Sequence, residues 1–249
     1  MAKQKGIIPV TGTIGELTFY QSEHGNLVRL KGKGISKERI FGDEKFAKTR
    51  DHIAEFSQAQ TAAKLIRTSF RTLANNSRDK KMNQRLGGFV LDVIQSDIVN
   101  ERGTRKIASG DMQLLKGFDF NEGMQLLDTM FATFNTTIDR TTGRVNVELL
   151  SFIPSQAMKV PEKATHFRVN LGAAEIDFAN LSYKYVEQNS ALLELNNEPT
   201  DDLSLTAMLP ANSTNYILIG LGVDFFERIG TKNYPMRPGT LSVIEVSKP

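Results

Sequence analysis

Three histidines, His24, His52 and His166, are the first candidates for acid–base or metal chemistry in this chain. A helical metal site needs ligands at i and i+3 or i+4, and no two of these histidines stand at that spacing. His52 has Asp51 beside it and Glu55 three residues on, a pattern that a solvated helix surface also produces. His166 lies in Ala164-Thr165-His166-Phe167 and reads as a half-buried strand position. Asp119 and Asn121 begin an alternation of oxygen donors of the kind that binds calcium. Met124 then stands where such a loop needs glycine, and Met130 where it needs a closing glutamate.

The glycine-rich stretches are no more specific. Gly32-Lys33-Gly34 lacks the frame that wraps a nucleotide phosphate. Gly220, Gly222 and Gly230 fall within or just after a strand pattern rather than in a strand-to-helix turn, so a dinucleotide fold is not indicated. No serine occupies a G-x-S-x-G elbow. The chain has no cysteine, which excludes disulfides, thiolate zinc sites and cysteine nucleophiles. The expectation is a protein without catalytic residues, metal, cofactor or small-molecule substrate.

Charge is more informative. The formal net charge is +3, yet residues 1–110 carry 20 Lys and Arg against 11 Asp and Glu, while residues 111–249 carry 11 against 17. Such a split points either to a face for nucleic acid or to two surfaces that attract each other. The basic residues gather at Lys31 and Lys33, and again at Arg67, Arg71, Arg78, Lys80, Lys81 and Arg85. Phosphate neutralisation by such a patch would be salt-dependent and blind to sequence. Asp43, Glu44, Asp51 and Asp79 interleave with it, and no helix-turn-helix, zinc-finger or RNA-binding signature is present.

Periodicity supplies the elements that position these residues. Ile7–Val10, Leu17–Gln21 and Leu27–Lys31 read as short strands, with Glu23-His24-Gly25-Asn26 as a turn. From Ser36 the period becomes helical. Phe46, Ile53, Phe56, Ala63, Ile66, Phe70 and Leu73 fall on one face, with Ser36 or Asp43 as the cap. Met82, Leu86, Phe89, Val90, Val93, Ile94 and Ile98 define a second helical face interrupted by Gly87-Gly88. From about Gly110 onward strand patterns dominate, including a pair around Arg140-Thr141-Thr142-Gly143 and a terminal strand at Leu241–Val246.

These 249 residues therefore predict an α+β fold in three parts: an N-terminal β-hairpin arm (1–35), an antiparallel helical hairpin (36–109) and a C-terminal antiparallel β-sandwich (110–249). A lone hairpin is too small to be stable in water. Either it docks on its own C-terminal sheet, leaving the helices as a projecting insertion, or it pairs with a neighbouring molecule. The start, MAKQKGIIPVTG, has no apolar leader, and no apolar run reaches the length of a membrane span. A cytoplasmic protein is expected.

The opening GIIPVTGTIGELTFY…GNLVRLKGKGISKERI, followed by FAKTRDHIAEF, resembles a family of proteins from Bacteroidetes-type bacteria and their mobile elements. That family shares a KGI…GTIG-LTFY motif and has no established activity. Here Lys31-Gly32-Lys33-Gly34 replaces a plainer KGG. The resemblance implies a shared fold and carries over no functional residue.

The reading that follows is a structural, self-assembling protein, forming a homo-oligomer or polymer such as a tube, filament, shell or phage-like component. Its contact residues are expected to be Leu17, Phe19, Tyr20, Leu27 and Val28. The Arg67–Arg85 patch would meet an acidic counter-patch at Asp201 and Asp202 of a neighbour. The alternatives are a nucleic-acid-associated protein using the basic helices, and a protein or glycan binding module using the sandwich loops.

Overall fold

The computed structural model describes residues 2–4, 9–32 and 34–249, and along them the order is strands, helices, then strands, an α+β arrangement. Against the expected three parts, the chain separates into two compact units, 1–50 and 51–249. Ile7 and Ile8 of the expected first strand, and Lys33 of the basic patch, lie outside the described residues. Pro9 and Val10 belong to no strand.

The first unit holds a four-stranded antiparallel sheet in the order β1-β4-β3-β2, from β1 (Ala2–Lys3), β2 (Gly12–Ile14), β3 (Leu17–Ser22) and β4 (Gly25–Leu30). Two-residue loops join β2 to β3 (Gly15-Glu16) and β3 to β4 (Glu23-His24). Gly15 adopts a φ of 58°, a conformation that a side chain would disfavour and that tight hairpin loops require. Helix α1 (Lys37–Gly42) follows, and the Ser36 hydroxyl caps it by accepting from the Arg39 amide at 3.3 Å. The Arg50 guanidinium donates to the carbonyls of Ile40 (2.8 Å) and Asp43 (2.9 Å), closing the end of this unit. Leu27 is the one buried apolar side chain among its described residues.

The second unit is built in three layers. Helices α2 (Ala47–Ser69, divided from the first unit after Arg50), α3 (Arg71–Ser77) and α4 (Met82–Gln95) form the first layer. The middle layer is an antiparallel sheet ordered β12-β11-β7-β8, from β7 (His166–Asp177), β8 (Ser182–Asn189), β11 (Tyr216–Ile229) and β12 (Lys232–Ser247), with β9 (Leu193–Glu194) also paired to β7. A three-stranded sheet, β10-β6-β5, from β5 (Phe134–Asp139), β6 (Arg144–Leu149) and β10 (Leu203–Met208), closes the other side.

Strand alternation divides the middle sheet between two cores. Val169, Leu171 and Ala173 of β7 and Ile217, Ile219 and Leu221 of β11 pack with Val145, Val147 and Ala207 of the smaller sheet. Ala174 and Ile176, with Leu218, Leu241 and Val243, pack instead with Ile66, Phe70, Val90 and Ile94 of the helices. Being covered on both faces, β7 and β11 are almost continuously apolar. The helices are therefore a layer on the sheet, not the projecting insertion that the sequence had suggested.

Glycine makes that layer fit. A Cβ placed on Gly220 would lie 2.8 Å from a ring carbon of Phe70, and one on Gly172 would lie 2.9 Å from both Leu73 Cδ1 and the Tyr185 hydroxyl. Phe70 marks a break between α2 and α3, and its ring stacks edge-on to Tyr185 and tilts against Phe120. The strand glycines thus serve close helix–sheet packing.

Several expected core positions are exposed, among them Ile53, Phe56, Phe89 and Ile98. Near the start of α2 the buried residue is instead Glu55, which accepts from the Gly103 amide at 2.9 Å with Arg105 at 3.8 Å. The loop after α4 supplies polar partners there, so α2 turns a charged position inward. No helix among the described residues is long and apolar enough to cross a membrane.

Candidate functional site

Two surfaces carry the residues singled out from the sequence, one in each unit. In the first unit, register decides which side chains meet. Ile14 stands opposite Leu17, and Leu17 opposite Leu30, so the three form one apolar row across β2, β3 and β4. Phe19 and Val28 form the next row on that face. Of the five expected contact residues, Leu17, Phe19 and Val28 therefore share a face.

Tyr20 and Leu27 pair with each other on the opposite face, beside Arg29, whose guanidinium lies 5.2 Å from the Tyr20 ring centre. Exposure sharpens the division. Leu27 is buried, while Ile14, Leu17 and Leu30 are 63%, 41% and 71% exposed. Ile14 and Leu30 were missed from the sequence. The signal was present in the two-residue loop Gly15-Glu16, which forces Ile14 and Leu17 into register.

The basic patch divides. Lys31 is an exposed residue of the first unit. Arg85 belongs to a structural network: it pairs with Asp79 at 2.5 Å, donates to the Asp119 carbonyl at 2.8 Å and lies over the Phe118 ring. Asp79 also accepts from the amides of Lys81 and Glu122, which holds its carboxyl below the usual range despite some burial that raises it. Lys80 and Lys81 are exposed.

Arg67, Arg71 and Arg78 line one open groove of about 360 Å³ with Thr68, Ala74, Asn75 and Asn83. The spacing explains the convergence. Arg67 at the end of α2, Arg71 at the start of α3 and Arg78 just beyond it recur at four and seven residues, on one side of a nearly continuous helical path.

The remaining candidates have local roles. The Asp202 carboxylate accepts from the Ser151 amide at 2.7 Å, and Asp201 beside it is exposed. Asp119 and Asn121 build their own turn, accepting from the amides of Leu126 and Gly123. His166 is buried, with Nδ1 2.9 Å from the Thr165 hydroxyl and Nε2 3.9 Å from Glu194. Among the described residues no three His, Asp or Glu side chains gather as a metal site would need.

No protein-family model matches the chain, and no curated protein matches it. One solved structure, described under pH-induced modulation of Streptococcus parasanguinis adhesion by Fap1 fimbriae, aligns with 44% of this chain and 78% of its own. The identity is 11% and the TM-score 0.21, and a likeness of that size carries no argument about fold or function.

Proposed function

We propose that this chain is a self-assembling structural protein, and that the apolar face of its N-terminal sheet seats on a second copy of the same chain. The observation that supports the reading most directly is the cross-strand row Ile14–Leu17–Leu30, exposed on a sheet whose unit buries a single apolar side chain among its described residues. Small sheets are marginal without a covered face, and burying each of these side chains is worth on the order of 1–2 kcal/mol. A second copy is favoured as the partner because the basic half and the acidic half of one chain complement each other between copies. Such a contact is heterologous and propagates into rings or open polymers.

Light scattering with negative-stain imaging of the full-length protein tests this. Assembled particles are expected, and their mass should fall to that of the monomer in the triple variant Ile14→Thr, Leu17→Thr, Leu30→Thr. Threonine retains strand propensity, so the circular dichroism spectrum should be unchanged. A wild-type chain that remains monomeric at every concentration and salt would overturn the reading.

A further inference from the structure

We infer that the groove lined by Arg67, Arg71 and Arg78 is a phosphate-binding site, and that its ligand is the backbone of a nucleic-acid duplex. The inference is independent of assembly through the N-terminal sheet.

Three guanidiniums and two side-chain amides, Asn75 and Asn83, line the same concavity, and no carboxylate lines it. Among the described residues none of these five side chains makes a hydrogen bond or ion pair within the chain. The contrast with Arg85 is instructive, since that neighbouring arginine is fully engaged by Asp79 and the Asp119 carbonyl. Like charges crowded into one concavity repel each other, and an oxyanion relieves that repulsion while accepting from the guanidinium forks. Planar bidentate donors suit phosphate better than a point charge does.

Two features select a duplex backbone from among phosphates. The exposed Lys80 and Lys81 follow Arg78 almost directly in the chain and line a second concavity, together with Glu122 and with Asp79, which Arg85 holds, so a ligand longer than one phosphate meets two more cations beyond the groove. No aromatic ring lines the groove, so unpaired bases have no stacking platform of the kind that single-strand binders use. Recognition through Arg and Asn donors alone reads phosphates and not sequence.

The test is fluorescence anisotropy of a labelled DNA duplex with the full-length protein over a range of salt. Binding is expected to weaken with salt. The triple variant Arg67→Gln, Arg71→Gln, Arg78→Gln should lose about tenfold or more in affinity at low salt, and the slope of log K against log salt should become shallower by about 3. Arg85→Gln disturbs folding rather than the groove, so it is not the informative change. Lys184→Gln, an exposed position next to Tyr185 on the face of β8 turned away from the helices, serves as the charge control and should leave affinity within about twofold, less than one lost phosphate contact would cost.

Arg71 and Arg78 are exposed, and the half-buried Arg67 makes no bond within the described chain, so the variant should melt close to the wild-type temperature. A single Arg71→Lys change, which keeps the charge and loses the fork, should give an intermediate affinity. Three results would overturn the assignment: duplex affinity unchanged in the triple variant, pyrophosphate binding without duplex binding, or a loss of assembly in the triple variant with no duplex binding by the wild type. The last would mean that a neighbour's carboxylates fill the groove.

Discussion

Leu17 stands directly opposite Leu30 in the β3–β4 pair, and both side chains are exposed. Thr18, one residue further on, stands opposite Arg29 on the other face of the same sheet. Because side-chain direction reverses at each strand residue, these neighbours test the proposed contact against a change of equal chemistry. Leu17→Glu should reduce the assembled mass to the monomer, since a carboxylate would be desolvated at the interface. Thr18→Glu should leave it unchanged, its charge facing Arg29. Light scattering of both variants at matched concentration decides; equal effects would remove the apolar face from the contact.

Helix-to-sheet packing makes a second prediction through Gly220. The Cβ of Gly220→Ala would meet the Phe70 ring at 2.8 Å and Leu241 Cδ1 at 3.2 Å, and all three positions lie in a closely packed layer. Overpacking of this kind destabilises by about 1–3 kcal/mol. Urea unfolding should report a lower midpoint with an unchanged slope. Phe70→Leu combined with Gly220→Ala should recover part of that loss relative to the sum of the two single changes, because the residues share one contact.

Much of this layer was legible in the sequence. The strand patterns that dominate from about Gly110, the terminal strand over Leu241–Val246 among them, and the helical period over Ala63, Ile66, Phe70 and Leu73 correspond to the elements that form the two cores. Legibility failed where a long-range partner overrides the local pattern. Glu55 is buried because the Gly103 amide, 48 residues away, satisfies its carboxylate, and no spacing rule announces that pairing. The groove was half legible: the sequence grouped Arg67, Arg71 and Arg78 with Arg85, and only the fold separates an arginine held by Asp79 from three that are not. The apolar row of the first sheet depends on register, which pattern alone leaves open by one residue.

The loop after α4 should be sensitive to acid. Burial pushes the Asp97 carboxyl up, but hydrogen bonds from the amides of Lys106, Val99 and Asn100 and from the Asn100 side chain outweigh it and hold the pKa at about 2. An unfolded aspartate titrates near 3.9. The folded value is depressed, so this contribution is fully present above the unfolded value and is lost as pH falls from about 4 towards 2. Thermal melts across that interval should show a steeper decline for the wild type than for Asp97→Asn, which has no charge to lose. Parallel declines would mean that other carboxylates control the acid limb.

Arg140 provides the last prediction, because it joins three distant parts of the second unit. It occupies the β5–β6 turn, and its guanidinium donates to the carbonyls of Ser213 (2.9 Å) and Asn215 (3.0 Å), to the Ser247 carbonyl (2.8 Å) and to the Ser247 hydroxyl (3.0 Å). Those partners lie before β11 and at the end of β12, so one side chain ties the smaller sheet to the edge strand of the larger. Gly143, at a φ of 78°, closes the same turn and lets the Leu209 amide donate to its carbonyl at 2.8 Å. Arg140→Met keeps the apolar stem and removes every donor, leaving partly buried carbonyls unpaired at a cost of about 2–3 kcal/mol. Arg140→Lys retains the charge but cannot span four acceptors with a planar fork, and should recover less than half of the loss. The effect should also be local. Amide exchange at the paired residues Leu218 and Val246, near the end of β12, should accelerate more than exchange at Val169, deep in the middle sheet. A uniform acceleration would mean that Arg140 contributes to global stability without anchoring the terminal strand.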